Sequence, residues 1–281
     1  IRNLPNLLML AMTALFFAAC NNASDETDQS ETASDTASVK LKEEQVSFTA
    51  DTITSNSYLV YNESAGEKLP VVLVIPEWWG LNDYARSRAR QLAELGYMAM
   101  AVDVYGGGKT ADNPTDAGNY ATPFYENPAL GKGRLEAAIN KIRENSKADT
   151  GRMAAIGYCF GGFVVLNTAK QGSPLDGVVS FHGNLGGVTP SKDLLKSRIL
   201  VCHGGSDPFV PEAEVNQFKK QMDSIGADYQ FKVYPNATHA FTNPNATEVG
   251  KKFNLPLSYN GAADTASWND MKVFLTSVLG K

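Results

Sequence analysis

Short apolar runs alternate with amphipathic segments along most of the chain. Six runs are rich in apolar residues, as is typical of strands buried on both faces of a parallel sheet; they span 71–75, 98–104, 153–157, 178–181, 199–203 and 229–234. Four segments have apolar residues three and four positions apart, which predicts helices over 84–95, 130–144, 215–225 and 266–279. Two further short runs predict a hairpin formed by 46–50 and 57–61.

The alternation of strands and helices predicts the fold class. It indicates βαβ crossovers and an α/β domain with a mostly parallel central sheet and helices on both faces. We assign this domain to residues 44–281. Two stretches, 106–128 and 242–261, lack regular periodicity. Because long irregular loops in compact folds are often functional, we expect both to shape the mouth of a pocket.

The first 20 residues do not follow this pattern. They combine Arg2, an apolar stretch over 7–17 and the ending Ala18-Ala19-Cys20. They resemble a bacterial lipoprotein signal peptide, in which the cysteine is lipidated, so Cys20 is the predicted lipidation site. A simple cleaved signal peptide and a short uncleaved anchor are the alternatives. The apolar stretch is too short for a full transmembrane span, which needs about 20 apolar residues.

The next segment is acidic. Residues 21–39 contain five acidic residues, no Lys or Arg and no apolar periodicity. Such a segment cannot bury enough surface to offset the entropy of ordering it, so we predict a flexible acidic linker over 21–43. Together with a lipid on Cys20, the linker predicts a protein of the bacterial cell envelope whose only link to the membrane is its N-terminal lipid anchor.

Composition and charge narrow the class of partner. The chain is 43% hydrophobic and 20% charged, which is ordinary for a globular protein. Its formal net charge is −5 and it contains no basic run. A nucleic-acid partner would need a positive stripe, so the sequence argues against one. Three cysteines, Cys20, Cys159 and Cys202, do not make a disulfide framework.

Four residues that can act as acid, base or nucleophile come directly after predicted strands. They are Glu77, Cys159, Asp207 and His239. In open parallel sheets, ligands collect at the carboxyl ends of the strands, so these side chains are the candidates for a common site. Cys, Asp and His also follow one another in the order nucleophile, acid, base, which is the order of the α/β-hydrolase triad.

Cys159 lies in the motif GYCFGG, residues 157–162. Gly157 and Gly161 would relieve crowding at a strand-to-helix turn tight enough to project the cysteine into a cleft. A helix that begins at Phe160 would place its positive end at the sulfur and favour the thiolate. The backbone N–H groups of Phe160 and Trp78 are the predicted donors of an oxyanion hole.

Three of the four candidates also have a purely structural explanation. Cys159 could be a buried packing thiol, or it could form a disulfide with Cys202. The position of Cys202 inside an apolar run favours core packing instead. Asp207 could bond its own turn, and Glu77 could be a solvated turn residue.

The remaining histidines suggest an alternative site. His182 and His203 each end a predicted strand, and we interpret both as packing or hydrogen-bonding residues. A zinc site built from His182, His203 and His239 is disfavoured, because the sequence has no close ligand pair such as His-x₃-His.

Six motifs in a fixed order carry a resemblance that covers about 46–279. They are PEWWGL at 76–81, DVYG at 103–106, GRLEAAI at 133–139, GYCFGG at 157–162, GGSD at 204–207 and YPNATHAF at 234–241. Together they resemble the dienelactone hydrolase family, a cysteine-dependent branch of the α/β-hydrolases.

The resemblance implies a role for each candidate residue. It implies that Cys159 attacks an ester or lactone carbonyl, with His239 as base and Asp207 orienting the imidazole. It also implies a fourth catalytic part, Glu77, which in this family contacts the resting thiol and helps to generate the thiolate. A carboxylate charge beside a thiol disfavours the thiolate, so Glu77 would have to act as a proton acceptor. No metal or organic cofactor is implied.

The sequence departs from the family where the substrate carboxylate is bound. Of two arginines that hold this carboxylate, one is replaced by Asn243, and the segment matching the other, 106–128, contains no Arg. A two-armed carboxylate clamp is therefore missing. We expect a neutral ester, lactone or thioester rather than dienelactone itself, in a pocket with the walls Trp79, Tyr105, Phe124, Tyr125, Phe241 and Asn243.

The leading hypothesis from the sequence is a cysteine-dependent hydrolase of esters or lactones that acts through an acyl-cysteine intermediate on a small-molecule substrate. The alternative is a non-catalytic envelope binding protein that keeps the hydrolase scaffold, because a fold does not determine a function. A peptidase of the same fold is disfavoured, because the sequence indicates neither an extra domain nor an acidic site for a substrate amine.

Overall fold

The computed structural model describes residues 39–280. The predicted signal peptide, its lipidation site Cys20 and residues 21–38 of the predicted linker lie outside the described residues. The first strand begins at Leu41 and pairs residue by residue as far as Ala50. Residues 41–43 therefore belong to the folded domain and not to the linker, because they pair with residues 60–62 of the next strand.

Eight strands within residues 39–280 form one sheet. They are β1 (Leu41–Ala50), β2 (Ile53–Asn62), β3 (Leu69–Ile75), β4 (Met98–Ala101), β5 (Ala148–Tyr158), β6 (Gly177–Phe181), β7 (Arg198–Gly204) and β8 (Tyr229–Tyr234). Their order across the sheet is β1-β2-β4-β3-β5-β6-β7-β8. The predicted hairpin of β1 and β2 is antiparallel, β2 also pairs antiparallel with β4, and every pair from β4 to β8 is parallel.

Helices connect the parallel strands. Those of residues 39–280 are α1 (Asp83–Glu94), α2 (Pro114–Glu126), α3 (Pro128–Ile142), α4 (Phe160–Lys170), α5 (Glu212–Ile225), α6 (Ala246–Phe253) and α7 (Gly261–Leu279). None of these helices has the length and apolar character needed to cross a membrane.

Helices α2 and α6 lie where the sequence predicted irregular loops. α2 begins with Pro114 after Asn113, whose side chain accepts the backbone N–H of Asp116 at 3.0 Å. Asn before a helix and Pro at its first position are helix-start residues, yet both lower the apparent helical character of a segment. The prediction of irregular structure was therefore wrong over 114–126 within the stretch 106–128 and over 246–253 within the stretch 242–261.

The central strands of the sheet are buried on both faces, whereas the edge strands β1 and β8 alternate between exposed and partly buried residues, so the prediction of a fully buried strand over 229–234 was wrong. Along β3, Val71, Leu73 and Ile75 face one apolar cluster, whereas Val72 and Val74 face a second cluster on the other side. All five side chains are fully buried. Residues of α3, α4 and α5 complete the first cluster, and residues of α1 and α7 complete the second. This arrangement confirms the predicted α/β fold with helices on both faces.

Candidate active site

Cys159 lies on a sharp turn between β5 and α4. Its φ of 53° and ψ of −115° are unusual for a residue with a side chain. A Cβ atom at Gly157 would overlap with the carbonyl oxygen of Gly161, and one at Gly161 would overlap with that of Ile75. Only glycine fits at both positions, so the two glycines let the turn close and hold Cys159 at the mouth of a cavity.

The structure brings Cys159, His239 and Asp207 into one hydrogen-bonded row. His239 Nε2 is 3.0 Å from Cys159 Sγ, and His239 Nδ1 is 2.8 Å from Asp207 Oδ2. The loops after β5, β7 and β8 supply the three residues, because parallel strands end at the same edge of the sheet. His239 and Asp207 are buried, whereas Cys159 is partly accessible.

The charge on His239 is determined by its two partners. Burial disfavours the imidazolium, but the Cys159 thiolate and the Asp207 carboxylate outweigh this effect and raise the pKa of His239 to about 10. A negative charge on the sulfur therefore favours the protonated imidazole. Asp207 Oδ2 accepts a hydrogen bond from Nδ1–H, and this bond orients Nε2 toward the sulfur.

Glu77 lies in the wall of the same cavity, and its side chain is only 3% exposed. Asn243 Nδ2 donates a hydrogen bond of 2.6 Å to Glu77 Oε2. Burial raises the pKa of Glu77 to about 7, and the Asn243 hydrogen bond opposes this rise. The carboxyl group is thus bonded to Asn243, while the thiol of Cys159 is bonded to His239.

The predicted oxyanion donors are both close to the candidate nucleophile. Phe160 N–H is the first amide of α4, and Trp78 lies in the turn after β3 that lines the cavity. Within residues 39–280, neither amide donates to a protein acceptor. Phe160 is fully buried, and buried N–H groups without an acceptor are rare, so this amide is available to an oxygen that enters the site.

A cavity of about 470 Å³ opens beside Cys159 and His239. Of the predicted wall residues, Trp79 and Tyr125 line it. Tyr105, Phe124 and Phe241 do not, because they are buried in the core: Tyr105 and Phe124 pack on the ring of Phe160, and Phe241 is fully buried. The prediction for these three is corrected accordingly.

Asn243 also has a different place from the one predicted. It does not line the cavity of Cys159 but donates a hydrogen bond to Glu77, which does. Asn243 itself lines a neighbouring cavity, which shares Trp79 with the first. Its effect on the candidate site is therefore indirect.

The sequence did not indicate several residues that line the cavity. They are Asn184, Gly186, Phe209, Glu214, Ala240, Leu255 and Leu257. Phe209 could have been identified from the sequence, because it follows Asp207 by only two positions. In the structure its ring packs edge-on against His239, with 5.0 Å between the ring centres. Leu255 and Leu257 lie in the connection between α6 and α7, within the stretch 242–261 that the sequence predicted to shape the mouth of a pocket.

The alternatives to a reactive Cys159 find no support in this geometry. Cys159 and Cys202 are both free thiols, and burial raises the pKa of Cys202 to about 12. Among residues 39–280, no group of three or more His, Cys, Asp or Glu side chains is arranged to hold a metal ion. The His203 ring packs on Phe231, away from this row.

The fold and the arrangement of these side chains define an α/β-hydrolase. The sequence model of the Dienelactone hydrolase family matches residues 56–279. The chain belongs to this family, and it is therefore a hydrolase of the ester and lactone type.

Similar proteins agree with this assignment. A protein of Methylorubrum extorquens, provisionally named a carboxymethylenebutenolidase, is 28% identical over 187 residues, which are 63% of this chain and 64% of that protein. The solved structure named m3DLH is 33% identical, with a TM-score of 0.80 over 85% of this chain and 99% of that one. A dienelactone hydrolase-like promiscuous phosphotriesterase from metagenomic libraries is 30% identical, with a TM-score of 0.80 over 85% of this chain and 98% of its own.

Proposed function

We propose that the protein hydrolyses neutral esters or lactones through an acyl-cysteine intermediate. The observation that carries this proposal is the row from Asp207 through His239 to Cys159, with 3.0 Å between Nε2 and the sulfur. A proton can move along such a contact without rearrangement of the site.

The first half of the reaction uses the thiolate and the imidazolium. The Cys159 sulfur attacks the carbonyl carbon, the C=O bond becomes a C–O⁻ bond, and the N–H groups of Phe160 and Trp78 stabilise the negative oxygen. When the C–O⁻ group collapses to C=O, the bond to the leaving alkoxide breaks. His239 gives its Nε2 proton to that alkoxide, which departs as an alcohol, and Cys159 remains as a thioester.

The second half uses the same imidazole as a base. Acylation removes the negative charge of the sulfur, and that charge is one of the two partners that raise the pKa of His239. Without the negative charge on the sulfur, the pKa of His239 is lower than in the resting enzyme, so the imidazole stays neutral after its proton has left. Its Nε2 can then take a proton from water, whose oxygen attacks the thioester carbon and releases the carboxylic acid. The thiolate and the imidazolium are restored.

Glu77 has a supporting role in this proposal. An ionised carboxylate near the sulfur would oppose the thiolate. Because burial raises the pKa of Glu77 to about 7, a substantial fraction of its carboxyl groups is protonated near neutral pH, and the repulsion is reduced. His239, which contacts the sulfur, is the proton acceptor in this arrangement, while Glu77 is held apart by Asn243.

The variant Cys159→Ala tests the proposal directly. We expect its kcat for p-nitrophenyl acetate to fall by about 10³-fold or more, because both half-reactions pass through the sulfur. Cys202→Ala is the matched control, since it also removes a thiol but from the interior of β7, and it should keep the wild-type kcat. Mass spectrometry of the quenched wild-type enzyme should detect one acetyl group on Cys159. Unchanged turnover by Cys159→Ala would contradict the mechanism, whereas a wild type with no turnover and no acetyl group on Cys159 would favour the non-catalytic binding protein.

A location in the cell envelope, with a lipid on Cys20, is a separate part of this proposal. Its support is the sequence of residues 1–20. Cells that express the full chain and are fed an alkyne-labelled fatty acid should incorporate the label into the wild type but not into Cys20→Ala. Equal labelling of both proteins, or of neither, would contradict a lipid on this cysteine.

A further inference from the structure

Two neighbouring strands end in residues with unusual backbone angles. Cys159 follows β5 with a φ of 53°, and His182 follows β6 with a φ of 42°. Such angles are uncommon for residues with a side chain, and they persist only where the surroundings hold them. The N–H of Cys159 donates to the Phe181 carbonyl oxygen at 2.9 Å and also to His182 Nδ1 at 3.1 Å. The backbone of the nucleophile is thus bonded to a histidine side chain.

This bond determines the state of the His182 ring. Nδ1 accepts a hydrogen bond from Cys159 N–H, so the ring proton of a neutral imidazole is on Nε2. Nε2 then donates to Thr242 Oγ1 at 2.7 Å. The side chain is almost completely buried, and burial holds the pKa of His182 well below its usual value. His182 is therefore a neutral hydrogen-bonding residue with one tautomer and not a second base.

Beyond His182, a buried network of hydrogen bonds and one ion pair extends to helices α1 and α7. Thr242 Oγ1 lies 2.7 Å from Tyr84 Oη in α1. Arg88, also in α1, donates to the carbonyl oxygen of Thr242 at 2.7 Å and forms an ion pair with Asp264 in α7. Thr242 is only three residues after His239. His182 consequently bonds the nucleophile's backbone on one side and the base's loop on the other.

Close packing holds the same turn in place. The His182 ring lies edge-on to the ring of His239, with 5.4 Å between their centres. The first turn of α4 meets the turn after β6 backbone to backbone, because a Cβ atom at Gly162 would lie 2.9 Å from Gly183 Cα. These contacts leave little room for Cys159 and His182 to move independently.

We propose that His182 is a positioning residue that sets the distance between Cys159 Sγ and His239 Nε2. Its Nδ1 holds the amide of the nucleophile, and its Nε2 holds the loop of the base through Thr242. This inference rests on the proposed function, since it concerns the geometry of the same reaction. A general base needs its partner within about 3 Å, and a misplacement of about 1 Å can cost about 100-fold in rate.

Two variants at position 182 test this role. Asn and Gly both tolerate a positive φ, but only Asn keeps an acceptor, because its Oδ1 stands where Nδ1 stands. We expect kcat for p-nitrophenyl acetate to fall by about 10- to 100-fold in His182→Gly, with KM changed less than about twofold. His182→Asn should recover at least about half of the lost activity on a logarithmic scale. The rate of Cys159 alkylation by iodoacetamide should change in parallel.

A second pair of variants acts without a change at His182. Thr242→Val keeps the shape of the side chain but removes the partner of Nε2, so kcat should fall severalfold at unchanged KM. Thr242→Ser keeps the hydroxyl and should be close to the wild type. Ser197→Ala is the matched control, because it also removes one buried hydrogen bond, between Ser197 Oγ and the Leu175 carbonyl oxygen, but just before β7 begins. It should lower thermal stability and leave kcat unchanged.

The outcomes separate this proposal from the previous one. Wild-type kcat in folded His182→Gly, or equal losses in the Gly and Asn variants, would overturn the positioning role while Cys159→Ala still established the mechanism. If neither His182 variant folds, the two Thr242 variants test the positioning role instead. A wild-type kcat in Thr242→Val would then overturn that role. Retained activity in Cys159→Ala would instead contradict the mechanism itself.

Discussion

At the scale of single residues, burial changes the chemistry of side chains that are ordinary in water. Glu77 shows this most clearly, because its pKa is raised from 4.5 to about 7. Between those two pH values the unfolded chain releases the Glu77 proton more readily than the folded protein does. The free energy of unfolding therefore falls as the pH rises from about 4.5 to about 7, and the loss persists above that range.

Glu77→Gln tests this effect. Gln carries no charge and keeps an oxygen that can accept from Asn243, so the variant should be more stable than the wild type at pH 8 by up to about 3 kcal/mol. Below about pH 4.5 the difference should disappear, because Glu77 is then protonated in both folded and unfolded states. Thermal unfolding at several pH values measures the change. A pH-independent difference would show that Glu77 is not the buried titrating group.

At the scale of elements, the site depends on how closely α4 approaches β3. Gly161 lies in the first turn of α4, where a Cβ atom would overlap with the carbonyl oxygen of Ile75 and lie 2.6 Å from that of Pro76. Both neighbours are backbone atoms at the end of β3, so they cannot move aside cheaply. The separation of these two elements determines where the Phe160 amide and the Trp78 turn stand relative to Cys159.

Gly161→Ala should therefore damage both stability and activity. We expect a loss of about 1–3 kcal/mol in the free energy of unfolding, as for other overpacked sites, together with a fall in kcat. Gly118→Ala is the matched control: Gly118 lies within α2, and a Cβ atom there meets nothing within 4 Å. That variant should gain about 0.5–1 kcal/mol and keep its kcat. Denaturant unfolding and ester hydrolysis measure both quantities, and equal effects at the two positions would contradict the packing argument.

At the scale of the whole molecule, charge restricts the substrate. The net charge of the chain is −5, and the acidic side chains in the described cavity wall are Glu77 and Glu214. Lys and Arg are absent from the described lining of this cavity. The carboxylate of an anionic substrate would therefore enter without a Lys or Arg partner and beside acidic side chains.

Matched substrates test this restriction. The kcat/KM for p-nitrophenyl butyrate should exceed that for the p-nitrophenyl monoester of succinic acid by about tenfold or more, because the second carries a carboxylate on a chain of the same length. Glu214→Gln should reduce the ratio of the two kcat/KM values. Gln keeps a side-chain oxygen that can accept the hydrogen bonds that Leu185 N–H and Gly186 N–H donate to Glu214. A preference for the anionic ester would contradict the restriction.

Much of this architecture could be predicted from the sequence because its signals are local. Each buried strand is a short apolar run, and Cys159, Asp207 and His239 each come within about five positions of the end of a predicted strand. Parallel strands end at one edge of a sheet, so positions that are far apart in the chain meet there without further information. The motif GYCFGG likewise specifies its own turn, since the glycines permit a backbone that other residues cannot adopt.

Only the tertiary structure decided which side chains face the cavity and which face the core. Tyr105 and Tyr125 are the same residue type, yet Tyr105 is 8% exposed and packs inside, whereas Tyr125 is 37% exposed and lines the site. The bond between Glu77 and Asn243 joins residues 166 positions apart, and the link from Cys159 through His182 to Thr242 joins three separate loops. Such contacts depend on the packing of distant elements, and no local pattern of apolar and polar residues encodes that packing.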